Sequence, residues 1–167
     1  ICVDDCSTDA SFSILKKYAD TDARIKLIRF DTNQSASQAR KSGVMAATGE
    51  YILFLDGDDT LEEHACENLY RIMREKQPDI LHFGTRVVGR ESLPIQRVEA
   101  VQRMVAPYGG YLHGGEVLSG CFRSRKYEFT LWNKMYKAEL CKKAFARVKE
   151  GKFEKAQDLY AFFLLAY

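Results

Sequence analysis

Tyr51-Ile52-Leu53-Phe54-Leu55-Asp56-Gly57-Asp58-Asp59 joins an apolar run directly to three aspartates. The first five residues have the length and composition of a buried strand, and Asp-Gly is turn chemistry. Thr60, with Glu63 three residues later, is expected to cap a following helix. The acidic oxygens then sit at the carboxyl end of a strand. Carboxylates this crowded repel one another unless a hard cation or donor groups hold them. Mg²⁺ or Mn²⁺ would take such oxygens and share its other positions with phosphates, so the stretch reads as a metal–diphosphate site. The bland alternative is a polar turn before a capped helix, yet a turn has little need of three acids.

Outward from this stretch, strands and helices alternate. Residues 1–3 and 25–30 read as strands and residues 11–18 as a helix with Ile14, Leu15 and Tyr18 on one side. Residues 35–47 read as a helix with a capping pair Ser35…Gln38 and a terminating Gly49. Ala65, Leu69, Ile72 and Met73 form the stripe of a third helix, and residues 79–83 form a further strand. Such alternation predicts an α/β fold with a mostly parallel sheet flanked by helices. Ligands of these sheets sit outside the carboxyl ends of the strands. Asp4-Asp5 and Asp56–Asp59 both fall at that edge.

From about Arg86 the pattern weakens into basic, glycine-bearing and aromatic stretches that read as loops and short elements. Order returns at residues 129–136, then in helices near 138–145 and from about Glu154.

The bulk composition is that of an ordinary globular protein: 167 residues, 46% hydrophobic, 29% charged, net charge +2. This suits a single domain over residues 1–167, with residues 1–83 as a nucleotide-binding part and 84–167 as an acceptor-side part. The near-neutral balance gives no case for nucleic acid. No apolar run reaches the roughly 20 residues that span a bilayer. Five scattered cysteines without a Cys-x-x-Cys pair favour reduced thiols and a cytoplasmic setting. The chain opens on Ile1 without an initiator Met and closes in an apolar helical stretch, so both ends read as cut from a longer protein.

Two further segments carry candidate chemistry. Val3-Asp4-Asp5-Cys6-Ser7-Thr8-Asp9 is either a helix-capping turn or a set of acceptors for a nucleotide's base N–H and ribose hydroxyls. Arg40 and Lys41 lie early in their helix, where the dipole disfavours cations. They form either a solvated face or, through Arg40, a contact to a diphosphate or to a carboxylate of the acidic loop. His64, His82 and His113 lack metal-ligand spacing and read as structural or surface residues, and Trp132 as core or a sugar platform.

Taken together, residues 3–9, 33–43 and 47–59, in this order and spacing, closely resemble family 2 glycosyltransferases. Leu131-Trp132-Asn133-Lys134-Met135-Tyr136-Lys137 resembles that family's Trp-Asn-Lys-Leu-Tyr segment more weakly. The resemblance implies a GT-A fold, incomplete at its N-terminus because family members carry another strand and helix before the position of Ile1. It implies that Asp4 and Asp5 contact base and ribose, and that Asp56 and Asp58 are an Asp-x-Asp motif binding nucleotide and metal, with Asp59 adjacent. Arg40 joins the nucleotide set, Asp58 and Asp59 the metal set, and the cofactor is Mn²⁺ or Mg²⁺. The family's base is an Asp in a Glu-Asp pair. Here the match is Gln157-Asp158, which assigns Asp158 as the base, with Glu154 as its alternative.

The implied reaction moves a sugar, with inversion, from a nucleoside-diphosphate sugar, commonly a UDP-sugar, to a glycan or lipid-linked acceptor. Polysaccharide or glycoconjugate assembly at the cytoplasmic face of a membrane is the corresponding role; the basic aromatic stretch 123–129 reads first as a solvated loop and, alternatively, as a peripheral membrane contact. Two other classes fit parts of the pattern: a nucleotidyltransferase making sugar nucleotides, and a non-catalytic nucleotide-sugar binding module.

Overall fold

A computed structural model describes residues 1–89, 93–151 and 156–167. In chain order the elements are β1 (Cys2–Asp4), α1 (Ser11–Thr21), β2 (Leu27–Arg29), α2 (Ala36–Ala46), β3 (Tyr51–Leu53) and α3 (Ala65–Lys76). There follow β4 (Ile80–His82), α4 (Ile95–Met104), α5 (Gly115–Phe122), β5 (Lys134–Lys137), α6 (Ala138–Ala146) and α7 (Gln157–Ala166).

The strands form two sheets. β1 and β2 pair in parallel, with Val3 opposite Ile28 and Asp4 opposite Arg29. β5 lies between β3 and β4 and runs antiparallel to both, so β3 and β4 share a direction. Among the described residues parallel pairing is therefore confined to β1–β2. β5 enters the sheet from far along the chain, a long-range pairing that local alternation does not encode.

Period-two alternation splits the three-stranded sheet into two apolar layers. Ile52 and Ile80 flank Tyr136 on one face, which joins Phe54, Phe145, Phe162 and Leu165 in the main core. Leu53 and Leu81 flank Met135 on the other, which packs with Leu69 and Met73 of α3. Tyr136, Phe162 and Met73 are fully buried. Burial of side chains of this size contributes about 1.5–3 kcal/mol each, so apolar packing is what holds this sheet.

A groove of about 490 Å³ runs between Val3 of β1 and Ile52 of β3, lined by the small residues Ala36, Ala39 and Gly43 of α2 and by Ala47 just beyond its end. One end of the groove is bordered by Arg40, Asp56 and Gly57, and this is where the acidic loop lies.

Several local expectations need correction. α3 begins at Ala65, after a left-handed His64 that makes no side-chain cap, so Thr60 caps no helix. The turn closes earlier instead, with the Asp59 N–H donating to the Asp56 carbonyl at 3.1 Å. The Ser35…Gln38 capping pair does not form. Ser35 has φ +89°, and Gln38 turns away so that its Nε2 donates to the carbonyls of Lys149 and Gly151. α1 buries none of its residues, and Ile14 and Tyr18 are exposed. The region after Arg86 holds two helices, α4 and α5, where loops and short elements are expected.

Candidate active site

The centre of the site is one guanidinium. Arg40 projects from the fifth position after the Ser35 cap of α2 and is 16% exposed. Its Nη2 donates to Asp56 Oδ1 at 2.8 Å, and its Nη1 donates to Asp158 Oδ1 at 2.8 Å. Charge-assisted bonds of this length are the strong class of hydrogen bond, and the planar fork fixes the direction of both carboxylates. Arg40 thereby joins the loop after β3 to the first turn of α7, residues far apart in sequence. The helix dipole favours an acid at that turn.

Asp158 is held from a second side. The backbone N–H of Leu131 donates to its Oδ2 at 3.4 Å. Each carboxylate oxygen thus has its own donor, and the group remains partly open to solvent at 23% exposure. A fixed, partly open carboxylate can accept a proton from a hydroxyl placed against it. Glu154 lies outside the described residues.

Asp58 and Asp59 extend into solvent beside Asp56. Burial, then the neighbouring charges of Asp58 and Asp56, push the Asp59 carboxyl above its usual range. That mutual repulsion is what a hard cation would relieve, and the donors are all oxygens of the kind Mg²⁺ and Mn²⁺ take. Among the described residues no three His, Cys, Asp or Glu side chains gather into a cage. The loop therefore fits a cation held by one or two carboxylates and completed by phosphate oxygens and water.

Asp4 and Asp5 do not join this cluster. Asp5 accepts from Asn33 Nδ2 at 2.9 Å, the Gln34 N–H at 2.6 Å and the Ser35 N–H at 2.9 Å, and so it fixes the entry to α2. Asp4 is buried and pairs with Arg29 Nε at 3.3 Å, while that guanidinium lies 3.9 Å from the Phe12 ring. A carboxylate has about four acceptor positions, so Asp5 keeps capacity for a further donor after these three bonds.

One group of residues appeared in the sequence without a role in the site. Asn133 and Lys134 are fully buried behind Leu131, beside the half-buried His82. Burial, reinforced by the Lys134 charge, lowers His82 to about 4, so the ring is neutral. The available signal was an Asn-Lys pair inside an otherwise apolar segment.

The profile described as "Glycosyl transferase family 2" matches residues 1–155. The chain belongs to that family. A cholesterol galactosyltransferase of Borreliella burgdorferi is 29% identical over 175 residues, covering 99% of this chain and 47% of that protein. A poly(ribitol-phosphate) beta-glucosyltransferase of Bacillus spizizenii is 40% identical over 81 residues, covering 48% of this chain and 13% of the other. Among solved structures, S. aureus TarS 1–349 superposes with a TM-score of 0.71 at 24% identity, covering 98% of this chain and 44% of TarS. That likeness shows the GT-A fold. A second TarS structure, in complex with UDP-GlcNAc, superposes with a TM-score of 0.70 at 23% identity, covering 98% of this chain and 43% of that one. The chain thus spans less than half the length of each of these relatives. Among the described residues no helix is long and apolar enough to cross a membrane.

Proposed function

We propose that this chain carries the donor and catalytic site of an inverting glycosyltransferase. It moves a sugar from a nucleoside-diphosphate donor to a hydroxyl of a glycan or lipid-linked acceptor. The observation that carries the reading is the Arg40 bridge, which sets Asp158 and Asp56 on two sides of one cation at the end of the groove. A base for the acceptor and an acid of the diphosphate loop must stand close together if one displacement is to connect them.

In this mechanism Asp158 takes the acceptor's hydroxyl proton as the oxygen attacks the anomeric carbon. The bond from that carbon to the diphosphate breaks, and inversion follows because attack comes from the opposite face. Negative charge grows on the departing diphosphate. Arg40 stands where it can share that charge while still orienting Asp158. Asp58 and Asp59 would hold Mn²⁺ or Mg²⁺, which as a Lewis acid stabilises the leaving group. Asp56 orients the loop through Arg40. Asp5 uses its remaining acceptor capacity for a ribose hydroxyl, and Asp4, paired with Arg29 at the end of β1, is the second acid of the nucleotide side. Residues 1–83 form the nucleotide side and 84–167 the acceptor side.

The donor to test first is a UDP-sugar, since the TarS neighbour was crystallised with UDP-GlcNAc. The named relatives are a cholesterol galactosyltransferase and a poly(ribitol-phosphate) beta-glucosyltransferase, which supports a hydroxyl acceptor in polysaccharide or glycolipid assembly. The decisive experiment measures UDP binding by calorimetry with and without Mn²⁺, and UDP-GlcNAc turnover by wild type and Asp158→Asn. The expected result is Mn²⁺-enhanced binding in both proteins and a turnover loss in the variant of about 10²–10⁴-fold, the range for a general base. Equal turnover in the two proteins overturns the assignment of Asp158. Binding without turnover in wild type supports a binding module instead.

A further inference from the structure

Beneath the site lies a cation with no part in the transfer itself. Lys134, the first residue of β5, is 1% exposed. Its Nζ donates to the Thr130 carbonyl at 2.6 Å, the Glu128 carbonyl at 2.9 Å and Asn133 Oδ1 at 2.9 Å. Among the described residues no carboxylate forms an ion pair with it. Desolvating an ammonium on neutral acceptors is expensive, and an apolar side chain of the same length would fill this space without that cost. Burial brings the ammonium down to about 7, so it gives up its proton far more readily than a surface lysine.

These acceptors, with Thr130 Oγ1 at 3.4 Å as a fourth, all belong to one turn, residues 128–133. Thr130 Oγ1 donates to Asn133 Oδ1 at 2.8 Å, and Asn133 Nδ2 faces His82 Nε2 at 3.0 Å, which ties the turn to β4. The middle of that turn is Leu131. Its carbonyl accepts from the Tyr136 hydroxyl at 3.3 Å, and its N–H is the donor on Asp158 Oδ2. Lys134 also reaches α7, since Nζ lies 5.2 Å from the Phe162 ring, one turn beyond Asp158. One buried cation therefore grips both the turn that touches Asp158 and the helix that bears it.

We propose that Lys134 is a positioning residue for Asp158, locking the 128–133 turn so that the Leu131 N–H and Arg40 together aim the carboxylate at the acceptor hydroxyl. This rests on Asp158 being the base, and the test separates the two ideas. In the full-length natural polypeptide, Lys134→Met is combined with Asp158→Asn in a double-mutant cycle. Turnover is read with UDP-GlcNAc, binding with UDP, and the Leu131 amide by ¹⁵N–¹H NMR. Lys134→Met is expected to lower kcat about ten- to a hundredfold, as small misplacements of catalytic groups do. UDP affinity should stay within about twofold, and the loss should vanish in the Asp158→Asn background, because a base already removed cannot be misplaced.

The Leu131 amide proton should move in Lys134→Met and in Asp158→Asn alike. A merely structural lysine would lower kcat equally in both backgrounds, or weaken UDP binding in parallel, and either result overturns the proposal. So does an unmoved Leu131 amide. Should Lys134→Met fail to fold, Thr130→Val loosens the same turn and is held to the same outcomes at smaller amplitude. If wild type turns over no UDP-sugar while the amide responds as expected, the transferase reading fails and the contact stands. If turnover is normal and the cycle is additive, the positioning role fails alone.

Discussion

The β1–α1–β2 unit and the β3–β5–β4 unit use similar strands and helices but are held in opposite ways. In the second, two apolar layers close on the sheet, with Tyr136, Phe145, Phe162 and Met73 fully buried. In the first, α1 buries no residue, and Asp4 is the buried residue of the strand pair. Polar tethers do the joining there: Asp5 to the 33–35 loop, Asp4 to Arg29, and Arg29 to the Phe12 ring. Asp158, the proposed base, lies on α7 against the core of the second unit, and the Asp56–Asp59 loop follows β3 of that unit, while Asp4 and Asp5 lie on the first. Arg40, on α2, reaches both Asp56 and Asp158. The packed unit and the tethered unit should therefore differ in how they respond to substitution.

The largest expected effect tests that division by stability. Phe145 is 1% exposed and stacks obliquely on Phe54 at 5.5 Å between ring centroids. Phe145→Ala should cost about 3–5 kcal/mol in urea or guanidinium unfolding, the usual range for emptying an aromatic core site. Ile14 on α1 is 53% exposed, and Ile14→Ala should stay within about 0.5 kcal/mol. If the two variants cost the same, the contrast between the units is wrong.

The two units were also unequally legible in the sequence. The apolar run ending at Leu55 and the acidic loop after it announced a strand and its carboxyl edge. An ill-placed early cation drew attention to Arg40, while Asp158 was picked out only by the resemblance of Gln157-Asp158 to the family's Glu-Asp pair. The strand end and the early cation are local signals, because strand ends, helix turns and dipoles are local physics. The reading failed where a partner distant in sequence decides the structure. β5 intrudes antiparallel between β3 and β4 because Tyr136 and Met135 complete layers begun by Ile52 and Leu53. Helix α1 carries the expected stripe at Ile14 and Tyr18, yet nothing among the described residues covers those two side chains. Thr60 had a capping sequence but lost the competition to the tighter Asp56–Asp59 turn. Lys134 stood in the sequence only as part of a resembling segment without a role, because burial of a lysine leaves no periodic signature, and the geometry of its acceptors gives it meaning.

An intermediate effect follows from titration, which should be concentrated in the packed unit. Lys134 titrates near 7 in the fold against 10.5 when exposed. Between those values the unfolded chain binds a proton that the native protein does not, so stability rises with pH through this window. The gain approaches about 1.4 kcal/mol per pH unit at most and is absent in Lys134→Met. The difference in unfolding free energy between wild type and Lys134→Met should therefore move in favour of wild type from pH 7 to 9. Cys121, raised to about 11, and Cys141, raised to about 12, are present in both proteins and cancel. His82 works in the same direction at lower pH: its share of stability is present above 6.5 and is lost as pH falls through about 4. A flat difference curve would mean that the Lys134 ammonium is better solvated than its burial implies.

The smallest effect should fall on the tethered unit and remain there. Asp5→Ala removes the acceptor for the Asn33 amide and for the Gln34 and Ser35 N–H groups. These groups are partly open to water, which can replace some of the bonding, so the global loss should be only about 1–2 kcal/mol. Its location is the informative part. The entry to α2 is set by Ser35 at φ +89°, a conformation uncommon for a residue with a side chain, and Asp5 is the group holding that backbone in place. Without it, amide hydrogen exchange should quicken in β1, in β2 and in the first turn of α2. The β3–β5–β4 amides should keep their protection, since opening the first unit uncovers none of the Tyr136 or Met135 layers. Faster exchange in both sheets together would mean that the units open as one, and that α2 transmits the loss of a single carboxylate across the groove.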